Sequence, residues 1–119
     1  MHVRDMQRAV DEWISQFEEG YWSPLANLAR LAEEVGELAR ELNHRFGPKK
    51  KKAGEGDGSL AEELADCLFV LVCIANSLDI DLEAAFQATL EKYRARDAYR
   101  WKRKDASKEP EGQTTDPGA

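Results

Sequence analysis

From Leu60 to Leu78 the chain reads LAEELADCLFVLVCIANSL, and no charged residue interrupts it between Asp66 and Asp79. On a helix, Leu64, Leu68, Phe69, Val70, Leu71, Val72, Ile74 and Leu78 cover nearly the whole circumference. A helix that is apolar all round must be buried all round. The longest uninterrupted apolar run, Cys67 to Ala75, is far too short to cross a bilayer. Protein must therefore do the burying, and the remainder of a 119-residue chain can hardly enclose such a helix. A second copy of the chain would, so a homodimer or a tetramer is expected.

The rest of the chain supplies three more helices. Val3, Met6, Val10, Trp13, Ile14 and Phe17 recur at three- and four-residue spacing, which predicts an amphipathic helix from Val3 to Phe17 closed by Gly20. Ser23-Pro24 is a start signal, because Ser caps orphan N–H groups and Pro suits the first helical position. The helix it opens runs to Phe46, where Gly47-Pro48 stops it. Gly47 to Gly58, rich in Lys and Gly, reads as a loop. Ser59-Leu60-Ala61-Glu62 is a capping box opening the apolar helix. Asp79-Ile80-Asp81 makes a turn, with Asp81 as N-cap of a fourth helix from Leu82 to Trp101. The expectation is an all-α, four-helix domain over residues 1–103, followed by a polar tail at 104–119 that lacks the apolar residues to order itself.

Four Pro and eight Gly are too few for a fold of many tight turns. A net charge of −6 argues against a general nucleic-acid binder. Cys67 and Cys73 project from different sides of one helix, so no disulfide is expected, and the two His and two Cys make no zinc spacing. The start of the chain shows no signal-peptide pattern, which together with the thiols points to the cytoplasm.

The second helix carries Glu33, Glu34, Glu37 and Glu41. On a helical wheel Glu34, Glu37 and Glu41 fall within about 60° of one another, on the shoulder of the apolar face. The third helix carries Glu63 and Asp66 three residues apart, and its next turns along that face are Val70 and Cys73. Such motifs are often plain solvated faces. Placed beside apolar stripes on adjacent helices, they form a nest of negative charge that only a cation relieves. An all-oxygen ligand set selects a hard ion, Mg²⁺ or Mn²⁺. A di-iron bundle would need Glu-x-x-His on two helices, and neither His2 nor His44 stands at that spacing.

Glu33-Glu34-x-x-Glu37, a spacer from 38 to 62, and Glu63-x-x-Asp66 resemble the signature of the MazG-like all-α nucleotide pyrophosphohydrolases. Phe17-x-x-Gly20-Tyr21-x-Ser23-Pro24-Leu25, Leu38-Ala39-Arg40-Glu41-x-Asn43-His44-Arg45, Leu68 to Leu78 and Arg96-Asp97-x-x-Arg100-Trp101 resemble its small single-domain YpjD-type branch. The resemblance implies Mg²⁺-dependent hydrolysis of a nucleoside triphosphate, often a deoxynucleotide, to the monophosphate and pyrophosphate, a reaction that cleanses the nucleotide pool. It implies metal ligation by Glu34, Glu37, Glu63 and Asp66. Glu33 or Glu41 is the carboxylate to orient water or act as base. Lys92 and Arg96 resemble the family's late basic positions, either phosphate contacts or a solvated helix end. Trp22 either stacks on the base or packs in the core or an interface, and Asn76 is either a base contact or a satisfied core amide. Lys49 to Lys52 either close over the triphosphate or stay solvated. Two other readings stand beside this one: hydrolysis of another nucleotide pyrophosphate such as phosphoribosyl-ATP, and a catalytically idle helical interaction module. The sequence shows no second catalytic repeat and no appended domain of the kind the best-known members carry, which leaves the substrate range open, and these residues give no base preference.

Overall fold

A computed structural model describes residues 1–48 and 59–104. Its helices are α1 (Val3–Ile14), α2 (Pro24–Phe46), α3 (Leu60–Ser77) and α4 (Leu82–Asp97), with no strand among the described residues. The Lys49–Lys52 segment and the tail beyond 104 lie outside the described residues.

Local chemistry accounts for the boundaries. Ser23 Oγ accepts from the Ala26 N–H and Pro24 occupies the first helical position. Ser59 Oγ accepts from the Glu62 N–H to open α3. Two helices are shorter than their periodicity predicts. α1 ends at Ile14 instead of Phe17, because the backbone tightens into short turns: Phe17 N–H bonds the Ile14 carbonyl and Gly20 N–H that of Phe17. Gly20 sits at φ +63°, the left-handed conformation that glycine adopts without a steric cost. α4 ends at Asp97 instead of Trp101; Asp97 accepts from Arg96 and Arg100 in the turn that follows.

In the unit Met1–Leu82, α3 packs on both α1 and α2. Val70, Val72, Cys73, Ala75 and Cys67 form its core, and the two cysteines are free thiols. α1 is tied to the end of α3 by amides. Gln7 Nε2 donates to Asn76 Oδ1 at 2.9 Å and to the Ile80 carbonyl at 2.8 Å, and Gln7 Oε1 accepts from Leu82 N–H. Asn76 Nδ2 donates to the Gln7 carbonyl and to the Tyr21 hydroxyl, which donates to Asp11 at 2.8 Å. Arg4 and Asp81 add an exposed ion pair at 3.0 Å.

Within the unit Met1–Leu82, α1 and α2 cover two sides of α3. Leu64, Leu68, Leu71 and Leu78 remain exposed in a single stripe, Leu64 at 53%. A second exposed stripe on α2 joins Leu25, Leu28, Val35, Leu42 and Phe46. Both follow the three-four spacing of a helix-packing seam. The unit beginning at Glu83 carries α4, on which Phe86, Leu90 and Tyr93 are exposed. No helix among the described residues is long and apolar enough to cross a membrane.

Candidate metal centre and adjoining pocket

α2 presents Asn27, Arg30, Glu34, Glu37 and Glu41 at alternating three- and four-residue steps, so they share one face. That face meets α3. Glu34, Glu63 and Asp66 bring carboxylate oxygens within 4.8 Å of one another, two of the residues half-buried and Asp66 exposed. Partial burial pushes the Glu63 carboxyl up from its ordinary value, and the charges of Asp66, Glu37, Glu34 and Glu41 push it further. Glu37 stands outside the tight trio but within electrostatic reach of it. The cluster is therefore a set of mutually repelling oxygen donors that form no ion pair among the described residues, and a hard divalent cation fits it. The neighbouring Cys67 thiol is pushed up by burial and by Glu34, Asp66 and Glu63, which keeps it a neutral thiol and not a competing thiolate ligand.

The two carboxylates considered for water orientation differ sharply. Glu33 is exposed. Glu41 is 7% exposed and accepts from Arg45 Nε at 3.0 Å, an ion pair that offsets the cost of burying its charge.

One turn along α2 toward its start, the same seam changes character. Arg30 lies between two rings, its guanidinium carbon 5.6 Å from the centroid of Trp22 and 5.6 Å from that of Phe69. Trp22 is half-exposed and one of its faces is taken by Arg30. Asn27 is 2% exposed and donates from Nδ2 to the Trp22 carbonyl. Trp22, Asn27, Arg30 and Cys73 line a cavity of about 180 Å³ together with the 14–21 segment. Asn76 lies elsewhere: its donors and its acceptor are taken up by Gln7 and Tyr21, the satisfied-amide alternative. Lys92 and Arg96 lie on α4, both over the Tyr93 ring, and Arg96 pairs with Asp97 at 2.8 Å.

Arg30, Asn27 and Arg45 are the residues that sequence reasoning passed over. The signal was present: the wheel that aligned Glu34, Glu37 and Glu41 continues back through Arg30 and Asn27.

Comparison with known proteins identifies the family of the chain. Residues 22–101 match the MazG nucleotide pyrophosphohydrolase domain. The chain is 58% identical over 106 residues to YpjD of Bacillus subtilis strain 168, covering 89% of this chain and 96% of that protein. The crystal structure of Bacillus subtilis YpjD superposes with a TM-score of 0.71 at 59% identity, covering 78% of this chain and 95% of the other. A Bacillus-conserved MazG protein, described as a nucleotide pyrophosphohydrolase, superposes with a TM-score of 0.69 at 45% identity, covering 91% and 97%.

Proposed function

The chain belongs to the MazG nucleotide pyrophosphohydrolase domain family, and from that premise we propose that it hydrolyses nucleoside triphosphates, with Mg²⁺, to a monophosphate and pyrophosphate. The observation that carries the reading is the convergence of Glu34, Glu63 and Asp66 within 4.8 Å. These three, with Glu37 beside them, would hold the metal, and Mn²⁺ would serve in its place. A bound divalent cation neutralises the phosphates and polarises the attacking water.

The remaining work falls to the chain's own side chains. A polyanionic substrate is repelled by bare carboxylates, so the acids of α2 and α3 act as ligands and not as direct phosphate contacts. Water cleaves the anhydride between the α and β phosphates, and its proton needs an acceptor. Glu33 and Glu41 are the carboxylates available to orient that water. Arg45 holds Glu41 in one orientation, which suits a positioning role. On the family resemblance alone, Lys92 and Arg96 are proposed as the basic groups for the departing pyrophosphate. Trp22, which lines the cavity, is assigned to pack against the base there.

A second copy is part of the proposal. The exposed seams on α2 and α3 are apolar, and a two-fold axis between like helices would bury both at once.

The test is a panel of canonical and modified nucleoside triphosphates with Mg²⁺, reading pyrophosphate against orthophosphate. Monophosphate and pyrophosphate are expected. Diphosphate and orthophosphate would sink the assignment.

A further inference from the structure

Among the described residues Arg30 makes no hydrogen bond and no ion pair, only the two ring contacts. The ring contacts satisfy none of the guanidinium N–H donors, which are left to seek acceptors. Arg30 lines the cavity of about 180 Å³, smaller than a drug-sized pocket and suited to one heteroaromatic ring system. Asn27 supplies the complementary group. Its Nδ2 is spent on the Trp22 carbonyl, which sets the orientation of the amide, because a flipped amide would face that carbonyl with its own oxygen. Its Oδ1 accepts nothing among the described residues, on a side chain otherwise buried against the same cavity.

We infer that Arg30 and Asn27 together read the base of the substrate and select a keto base over an amino base. This rests on the nucleotide reading above. A keto base such as uracil, thymine or guanine presents a ring carbonyl next to a ring N–H. Arg30 donates to the carbonyl and Asn27 Oδ1 accepts from the N–H. Cytosine puts an acceptor nitrogen next to its carbonyl, opposite Oδ1. Adenine has no carbonyl and turns an amino group toward the guanidinium. Either mismatch leaves a desolvated polar atom without a partner, the arrangement by which binding sites reject a close analogue most strongly. The position also suits the chemistry. Arg30 precedes Glu34 by one turn, about 6 Å along α2, so a base at Arg30 sets its phosphates toward the carboxylates.

The test uses non-hydrolysable α,β-imido analogues of dUTP, dGTP, dCTP and dATP, titrated calorimetrically with Mg²⁺ into the full chain. The keto pair is expected to bind roughly tenfold or more tightly than the amino pair. Arg30→Met, with circular dichroism to check folding, brings the four within a few-fold of each other. Arg30→Lys keeps the charge but loses the planar fork, and also loses most of the preference. Equal binding of all four by the parent protein overturns the inference. So does an Arg30→Met variant that weakens all four alike with the ratio kept, which would make Arg30 a phosphate contact. Should Arg30→Met fail to fold, the parent panel and Arg30→Lys decide. A keto preference without pyrophosphate release from the ordinary triphosphates would leave the pocket standing and remove the hydrolysis reading; release without a preference would do the reverse.

Discussion

Arg45 Nε lies 3.0 Å from Glu41 Oε1, one turn further along α2, and joins a half-exposed guanidinium to a carboxylate almost withdrawn from solvent. The asymmetry sets the first prediction. Removing the guanidinium leaves a buried charge uncompensated, whereas neutralising the acid leaves only an amide that still accepts hydrogen bonds. Arg45→Met should lower stability by about 1–3 kcal/mol in urea unfolding, and Glu41→Gln by less. Equal stability of parent and Arg45→Met would show that water alone compensates Glu41.

Glu34→Gln, Glu63→Gln and Asp66→Asn should each lower turnover by roughly a hundredfold or more, and Glu37→Gln likewise. Mg²⁺ binding measured by calorimetry should weaken in parallel. Without metal these variants should be as stable as the parent or more so, because each removes repulsion on the raised Glu63 carboxyl. Two of them retaining near-normal turnover at saturating Mg²⁺ would place the metal elsewhere.

Tyr21 gives a pH signature. Burial and its bond to Asp11 push the hydroxyl up from 10.0 to about 12. The folded protein therefore keeps this proton where the unfolded chain has lost it. Stability from this group is fully present below pH 10.0 and is lost as pH rises toward about 12. Ultraviolet titration should show one tyrosine ionising after the others. Tyr21→Phe should remove that late step and flatten the fall in unfolding midpoint across the same window.

The exposed stripe Leu64–Leu68–Leu71–Leu78 calls for a partner surface. Leaving such side chains in water forgoes roughly 1.5–3 kcal/mol each. Light scattering at micromolar protein should give at least twice the mass of one chain, and Leu68→Glu with Leu71→Glu should shift the species toward monomer. A fully active parent monomer would defeat the proposed assembly.

Which parts of this protein the chain encodes locally follows from the range of the forces involved. Ser23-Pro24, Ser59 and Gly47 mark helix ends because capping acts within one turn, and α2 runs between the residues that the sequence marks. The joining of Glu34, Glu63 and Asp66 was legible because helical periodicity puts Glu63 and Asp66 on one face and Glu34 on the polar stripe facing it. α1 and α4 were read too long, since periodicity continues past the point where Gly20 and Asp97 tighten the chain into turns. The partners of the polar core were not legible at all. That Asn76 meets Gln7 and Tyr21, and that Arg30 stands between Trp22 and Phe69, depends on the register of α3 against α1 and α2. A shift of one residue along a helix turns a side chain through about 100° and exchanges every one of those partners. Packing chooses the register, and packing sums over side chains far apart in the sequence. The chain alone therefore determined four helices and an acid-lined face; the tertiary structure decided which neutral and basic groups stand beside it.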